Sequence, residues 1–400
     1  MTTVEQSYLP SRLYPRLAIL AVGLFVVATN AFVIAGLLPT IAASLGVGAS
    51  DVSYSITYYS VVVAVVAPVV SIVFARISRT TLMAVGLVLV AIGTVIAAAA
   101  PDLLVFTLGR IVAAFGGAAL VPAATAAAAS LAPVAHRGRA IAFVGVGFTA
   151  STAFGAPLGT AIAAGGDWRL PLFGLAGLAL LTALAVALAV RHIPLGAAVS
   201  ARRRFAVLAN PKLVLTLLAT LLVIAGFNVV YIFSSAVVVG ATGGSSSLLA
   251  TLLLVFGVAG IGGTILAGRM TDRFGSRATG TAFLAVLLVV VAAMPLVSSM
   301  FAATAVVFAI WGVSANGAPL AFQHRLVEID PATSGVALSW YSTAMYVGIA
   351  IAPPLGAAAI GLGNPQLVPV FGAIAVALAL VAHLIGSAVR GTATVQPRRA

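Results

Sequence analysis

Long apolar stretches separated by short polar segments make up most of this 400-residue chain. Each stretch holds about twenty residues or more, enough for a helix rising about 1.5 Å per residue to cross a hydrocarbon core about 30 Å thick. Hydrophobic residues make up 62% of the chain and charged residues only 7%, a balance that excludes a water-soluble fold. The pattern predicts an all-α membrane protein with twelve transmembrane helices. Their predicted bounds are 15–38, 53–75, 80–100, 103–127, 140–164, 170–190, 213–238, 247–268, 278–297, 301–323, 334–360 and 366–389.

The two halves of the chain repeat the same landmarks at a constant separation. Arg76 and Arg273 lie 197 positions apart, since 273 minus 76 is 197, and the runs APLG at 156–159 and PPLG at 353–356 have the same separation. An internal repeat of this size in an apolar chain predicts two six-helix bundles related by a pseudo-twofold axis, with a site between them. The predicted division is a first bundle over 1–190, a cytoplasmic linker over 191–212, and a second bundle with a short cytoplasmic tail over 213–400.

Basic residues collect on one side of the predicted membrane. The net charge is +13, and eighteen of the twenty lysines and arginines fall in segments that alternate with the spans. An excess of Lys and Arg in the connecting segments marks the cytoplasmic side. The pattern therefore predicts a multi-pass protein of the cell (inner) membrane with both termini in the cytoplasm. It accounts for the positive charge without a nucleic acid partner.

Residues that many enzymes and metal sites need are scarce. The chain has no cysteine, its single lysine, Lys212, cannot belong to a phosphate-binding loop of the G-x-x-x-x-G-K-[ST] type, and its four histidines are far apart. An intramembrane enzyme would need a Ser/His pair, an Asp/Asp pair or a metal cluster at one depth, and the predicted spans show none. We therefore predict no metal, no cofactor and no enzymatic activity.

A loop motif follows the eighth predicted span. The sequence GRMTDRFGSR at 268–277 resembles the motif G-x-x-x-D-R-x-G-R-R of the major facilitator superfamily. The equivalent segment of the first half, ARISR at 75–79, keeps the arginines and lacks the aspartate. In this family the motif is usually most complete in the first half. Here the aspartate and arginine of the motif, Asp272 and Arg273, are instead found in the second half.

Three further motifs occur in the order of that family. LGR at 108–110, followed by FGGAA at 115–119, resembles the span-four signature of the drug:proton antiporter branch. GAPLGT at 155–160, followed by GDWR at 166–169, resembles the span-five motif of the sugar-efflux and chloramphenicol-exporter relatives. FVIAGLLP at 32–39 completes the likeness in span one.

This resemblance implies a fold, a function and a set of partners. In the family, spans 1, 4, 7 and 10 line a central cavity between two bundles, and a small-molecule substrate crosses the lipid bilayer by alternating access. The branch implies efflux of small amphipathic or sugar-like molecules by a monomer, with protons as the coupling ion. An uptake permease or an uncoupled uniporter for a small neutral solute stays open, as does, more distantly, a membrane-embedded enzyme or a lipid-flipping protein.

Three polar residues lie deep in the spans that the resemblance places around the cavity. By helical rise, Asn30 and Asn228 lie about 22 Å from the cytoplasmic side and Arg110 about 12 Å from the outer side. Asn30 and Asn228 are near-equivalents in the repeat, which predicts two amides facing each other across the cavity. The alternative is that each ties neighbouring helices together. Arg110 either contacts carbonyls, water or an anionic substrate group, or snorkels outward.

Further substrate-binding candidates supply aromatic faces and hydrogen-bonding groups on the remaining inner helices. They are Tyr231, Trp311, Asn316, Gln323 and Tyr341. That mixture is typical of a site for a neutral, amphipathic solute. Tyr58 and Tyr59 cannot both face the cavity from one helix, and the sequence does not choose between them.

Another set of residues is predicted to gate the inner mouth. Asp272 should approach the start of span five near Gly138, where free N–H groups favour an anion, with Arg325 as an added partner. The remaining gating candidates are the loop-motif arginines Arg76, Arg273 and Arg277. Prolines beside glycines mark predicted kinks at the interface between the halves. These kink candidates are Gly155, Pro157, Gly159, Pro354 and Gly356.

No acidic residue falls at the predicted depth of the cavity. All seven acids lie at a membrane edge or outside it, and the sequence NAF at 30–32 stands where related antiporters have T-E-F. A buried carboxylate is the usual group that changes protonation during proton antiport. We therefore expect weak or absent coupling to protons at the central site.

Overall fold

The structure, a computed structural model, describes residues 11–74, 76–133, 136–191, 193 and 201–389. Residues 192 and 194–200 of the predicted linker, and the predicted tail from 390 onwards, lie outside these ranges.

The described residues form helices and their connections, without strands. The first half contains α1 (Tyr14–Leu45), α2 (Ala49–Val73), α3 (Arg79–Ala98), α4 (Leu103–Leu131), α5 (Arg137–Ala150), a π-helical turn (Ser151–Gly155), α6 (Ala156–Ala164) and α7 (Arg169–Ala189). The linker and second half contain α8 (Ala201–Ala206), α9 (Pro211–Ile232), α10 (Ser234–Val237), α11 (Val239–Thr242), α12 (Ser246–Val297), α13 (Phe301–Ile329), α14 (Ser334–Gly361) and α15 (Leu367–Ala388).

Within the described ranges, eleven helical segments are long and apolar enough to cross a membrane. α12 has 52 residues, about 78 Å of helix, which is more than twice the thickness of a hydrocarbon core. Gly275 divides it, with φ 80° and ψ 162°, a conformation that glycine adopts because it has no Cβ. α12 therefore holds the two predicted spans 247–268 and 278–297. The prediction of an all-α membrane fold is confirmed.

Short polar side chains fix where several of these helices begin. Asp102 accepts a hydrogen bond from the backbone N–H of Val105 at 2.8 Å, at the start of α4. Ser78 accepts one from Thr81 at 3.1 Å, at the start of α3. Each cap satisfies an N–H group that has no partner in the first helical turn. The same type of cap begins α9 at Asn210 and α12 at Ser245.

The helix ends define two faces of the molecule. We call the face that carries the α2–α3 loop and the break at Gly275 the basic face, because Arg76, Arg273 and Arg325 lie there. We call the other the opposite face; it carries the α1–α2 and α3–α4 loops. The two halves contact each other mainly through α2 with α14, and through α12 with the π-helical turn and α6.

The apolar core shows where the halves are joined. One large cluster of buried residues runs through both halves and includes Ile34 and Phe106 from the first half with Tyr231 and Phe256 from the second. A second cluster, which contains Leu17 and lies mainly on the side of the basic face, holds residues of the first half and Ile193 of the linker. A third, near the basic face of the second half, contains residues of that half and the linker only. The halves therefore share a core towards the opposite face and have separate cores at the basic face.

Within the first half, α3 and α4 pack so closely that their backbones are in contact. A Cβ at Gly93 would lie 2.3 Å from the Ala113 nitrogen, and one at Gly109 would lie 2.5 Å from the Ala97 nitrogen. Small residues at such positions let helices approach closely in membranes, where van der Waals packing drives association.

Replacing Gly93 with alanine should destabilise the protein by about 1–3 kcal/mol, because the added methyl group meets backbone that cannot rotate away. Thermal unfolding of the purified protein measures the effect. Gly177, on α7, has no atom within 4 Å of the Cβ position, so Gly177→Ala is the matched control and should unfold at the wild-type temperature or above it. Equal unfolding temperatures for the two variants would contradict this packing argument.

Candidate substrate site

Arg110 is a buried cation that ties three helices of the first half together. It is 2% exposed, and its Nη1 donates hydrogen bonds to the backbone oxygen and the Oδ1 of Asn30, both at 2.5 Å. The Asn30 amide nitrogen donates in turn to Thr94 Oγ1 at 2.6 Å. Since the three residues belong to α4, α1 and α3, this network fixes the relative positions of those helices. Sequence reasoning missed Thr94, because a threonine in an apolar span carries no signal of its partner.

The aromatic ring of Tyr59 stacks on the same guanidinium group. The Arg110 Cζ lies 4.4 Å from the ring centroid, a distance at which a cation is attracted to the face of an aromatic ring. Tyr59 is fully buried, whereas Tyr58 is 49% exposed. The structure therefore places Tyr59 in the interior and Tyr58 at the surface. Snorkelling of Arg110, one of the two alternatives, is wrong for this conformation.

The two asparagines do not face each other. Asn30 is engaged by Arg110 and Thr94, while the Asn228 amide nitrogen donates to Ile224 O of its own helix at 2.9 Å. The expected pair of amides across the axis is therefore absent from this structure. The depth of Asn30 along α1 is compatible with a side chain that faces the cavity and with one that ties neighbouring helices together. The rotation of α1 about its own axis decides between the two, and the sequence does not show that rotation.

An aromatic cluster joins the halves near the middle of the molecule. Tyr231 lies 6.0 Å from Phe32, 5.3 Å from Phe256 and 6.4 Å from Trp311, measured between ring centroids. Phe256 and Trp311 are 4.3 Å apart. We define the aromatic cluster as Phe32, Phe148, Tyr231, Phe256, Phe308 and Trp311. Tyr231 and Trp311 were predicted as substrate contacts, whereas Phe256 was not. The repeat could have indicated Phe256, since 256 minus 197 is 59 and position 59 is Tyr59.

Buried polar atoms next to this cluster lack partners. Among the described residues, nothing bonds to the Tyr231 hydroxyl, the Trp311 Nε1 or the Asn228 Oδ1. A buried polar group without a partner costs free energy, so such groups in a native structure call for an explanation. Two donors and one acceptor beside large aromatic faces suit a solute that has both an apolar surface and hydrogen-bonding groups.

The other predicted substrate contacts lie elsewhere. Asn316 donates to Gly312 O of its own helix at 3.0 Å and lies against Gly260 of α12, within the second half. Tyr341 interacts with Gln323 and belongs to the separate core near the basic face. The predicted substrate-binding residues therefore fall into a group around Arg110, a group around Tyr231 and a group near the basic face, with Asn316 packed inside the second half.

Close contacts between the halves occur towards the opposite face. Thr57 Oγ1, about 12 Å along α2 from that face, donates to Ala350 O of α14 at 2.8 Å. Gly257 of α12 lies against the π-helical turn, where a Cβ would come within 2.2 Å of the Ala153 Cα. These contacts close the interface between the halves at the opposite face.

The predicted gating residues are not brought together in this conformation. Asp272 is exposed, and in the described part of the chain the ion pair that forms is Arg169 with Asp167 at 3.6 Å. Arg325 donates instead to Gly386 O at 3.1 Å. Gly138 has open space around it. Arg76 and Arg277 are exposed, and Arg273 stacks on Phe274.

The proline and glycine positions combine distortion with close packing. The π-helical turn Ser151–Gly155 ends two residues before Pro157, and such turns commonly mark functional positions. A Cβ at Gly155 would lie 2.1 Å from Thr29, and one at Gly159 would lie 2.4 Å from Val33. α14 continues through Pro354, and Gly356 lies against the Phe233 ring. The first two glycines thus bring the fifth span against α1 within one half, not between the halves.

Comparison with known proteins places this architecture in a family. The family model of the Major Facilitator Superfamily matches residues 20–328 of the chain. The chain is 29% identical over 290 residues to the uncharacterised MFS-type transporter YbcL of Bacillus subtilis, covering 72% of this chain and 74% of that protein. It is 28% identical over 287 residues to the inner membrane transport protein YdhP of Escherichia coli K12, with the same shares covered.

Solved structures agree on the fold. The nucleoside transporter NupG superposes with a TM-score of 0.70 at 13% identity, covering 92% of this chain and 99% of that one. A bacterial homologue of the human lysosomal transporter Spinster, in an inward-facing and occupied conformation, also gives 0.70, at 18% identity, with 95% and 98% covered. The chain belongs to the major facilitator superfamily of membrane transporters.

Proposed function

We propose that this transporter exports small amphipathic or sugar-like molecules from a bacterial cytoplasm, and that it does so as a monomer in the inner membrane. The observation that supports this proposal is the aromatic cluster between the halves, with the unpartnered Tyr231 hydroxyl and Trp311 Nε1 beside it. Ring faces bind apolar surface, and the two donors bind hydroxyl or carbonyl oxygens.

Alternating access requires the halves to separate on one face at a time. In this structure they share a core and close contacts towards the opposite face and have separate cores at the basic face. With the basic face in the cytoplasm, as the arginine distribution favours, this is the conformation from which an exporter receives its substrate.

Uptake or uncoupled uniport of a small neutral solute is the second candidate. It is favoured by one observation: the described residues around Arg110 and Asn30 include no carboxylate that could release a proton.

Transport into proteoliposomes by purified protein tests both candidates. A panel of amphipathic and sugar-like solutes is supplied with and without an imposed pH gradient. We expect flux of a panel member that a pH gradient changes little. Proton flux that depends on substrate and survives substitution of every edge acid would overturn the expectation of weak coupling, and absence of any flux would overturn the substrate class.

The inner gate gives a separate prediction. We expect Asp272→Asn to shift the protein further towards the conformation open at the basic face, because the charge that would lock the closed basic face is lost. The chain has no cysteine, so a single introduced cysteine near the basic face reports accessibility to an impermeant maleimide. Asp51→Asn, at the opposite face where Asp51 accepts from Gly48 N at 3.0 Å, is the control. Unchanged labelling in Asp272→Asn would exclude this gating role.

A further inference from the structure

The Arg110 guanidinium uses only one of its edges. Nη1 makes both hydrogen bonds to Asn30, whereas Nε and Nη2 are buried and have no partner among the described residues. The N–H groups of Nε and Nη2 point in the same direction and form the fork that holds a carboxylate or phosphate through two parallel hydrogen bonds. Of the described arginines, Arg110 is the one whose two fork nitrogens are both buried and unpartnered.

The protein does not neutralise this charge with an acid. Neither an aspartate nor a glutamate pairs with Arg110 among the described residues. Its compensation consists of two Asn30 oxygens and the face of the Tyr59 ring. Buried charges in proteins are ordinarily paired, since desolvation is costly. An anion on the fork would supply the missing partner.

The surroundings of Arg110 are distinct from the aromatic cluster. Asn30 and Phe32 are two residues apart on α1, which turns them about 200° from each other around the helix. Phe32 contacts Tyr231 of the second half, whereas Asn30 contacts Arg110. A ligand on the fork therefore occupies a different side of α1 from a solute at the aromatic cluster.

Two phenols border this region from opposite halves. Tyr59 of α2 and Tyr346 of α14 belong to the same cluster of buried residues, and the hydroxyls of both are buried without a partner among the described residues. The Thr57–Ala350 hydrogen bond closes the same α2–α14 interface. When the halves separate at the opposite face, Tyr346 moves away with its half, and the wall beside Tyr59 opens.

We propose that Arg110 binds the oxyanion of a small solute, a carboxylate or a phosphate, through Nε and Nη2. The ligand enters when the α2–α14 interface opens at the opposite face. In the conformation described here that interface is closed, and Tyr59 covers one face of the guanidinium instead. This proposal is independent of the substrate and direction of transport proposed above.

Binding is measured by thermal unfolding of purified full-length protein in a maltoside detergent, which offers no phosphate. The probes are benzoate, inorganic phosphate and, as the neutral match of benzoate, benzamide. We expect benzoate or phosphate to raise the unfolding temperature and benzamide to leave it unchanged. Arg110→Lys keeps the charge without the fork and should weaken the apparent affinity about tenfold or more.

Arg79→Gln is the matched control, because Arg79 is a partly buried arginine that already donates to Ala126 O at 2.6 Å and to Ser130. It should retain the response to the anion. If Arg110→Lys and Arg110→Gln bind benzoate as tightly as the wild type, the proposal is wrong. A rise in unfolding temperature with an anionic phospholipid but with neither benzoate nor phosphate would also overturn it, since the fork would then recognise lipid headgroups.

Discussion

Replacing Gly257 with alanine should keep the two halves apart at the opposite face and lower transport about tenfold or more. Gly257 of α12 lies against the π-helical turn of the first half, where a Cβ would be 2.2 Å from the Ala153 Cα and 2.5 Å from the Thr152 oxygen. Both neighbours are backbone atoms, so no change of rotamer relieves the clash. Overpacking of this kind forces a shift of the backbone, and we expect that shift to move the two halves apart.

Labelling of a cysteine at position 350 measures this separation directly. Ala350 is buried at the α2–α14 interface, so Ala350→Cys should react slowly with an impermeant maleimide when Gly257 is present and faster in Gly257→Ala. Gly262→Ala is the control on the same helix, since no atom lies within 4 Å of that Cβ position. If Gly257→Ala and Gly262→Ala label equally, Gly257 does not limit the approach of the halves.

Most of the fold follows from the apolar pattern, and the differences have a common cause. The predicted first span, 15–38, continues as α1 to Leu45, and the span predicted over 301–323 continues as α13 to Ile329. Hydrophobicity reports the part of a helix within hydrocarbon, whereas the backbone hydrogen bonds continue into the interface. The break between the eighth and ninth spans was expected from the polar segment 268–277, and Gly275 supplies it.

The site was less predictable because sequence gives depth along a helix but not direction around it. Asn30 and Arg110 were recognised as buried polar residues of the outer half, yet their mutual hydrogen bonds depend on how α1 and α4 are rotated. The same limit separates Tyr341, near the basic face, from Tyr231 in the aromatic cluster. The repeat could have indicated one more residue: Phe256 occupies the position equivalent to Tyr59, and both rings belong to the buried cluster that runs through both halves.

Replacing Trp311 with alanine should reduce transport about tenfold or more per folded molecule. The indole packs on Phe256 at 4.3 Å and on Phe308 at 5.0 Å, so its loss removes the largest ring of the aromatic cluster. Truncating a buried tryptophan also destabilises a protein by about 3–5 kcal/mol. Transport must therefore be normalised to the amount of folded protein, measured by size-exclusion chromatography and thermal unfolding.

Trp168→Ala separates loss of packing from loss of the site. Trp168 is also buried, against Phe106 at 5.9 Å, but it lies near the opposite face and outside the aromatic cluster. It should lower the unfolding temperature by a similar amount while the folded fraction transports at the wild-type rate. Trp311→Phe should fall between wild type and Trp311→Ala, because it keeps a ring and loses the unpartnered Nε1 donor. Equal normalised rates in Trp311→Ala and Trp168→Ala would mean that the aromatic cluster supports the fold without contacting the substrate.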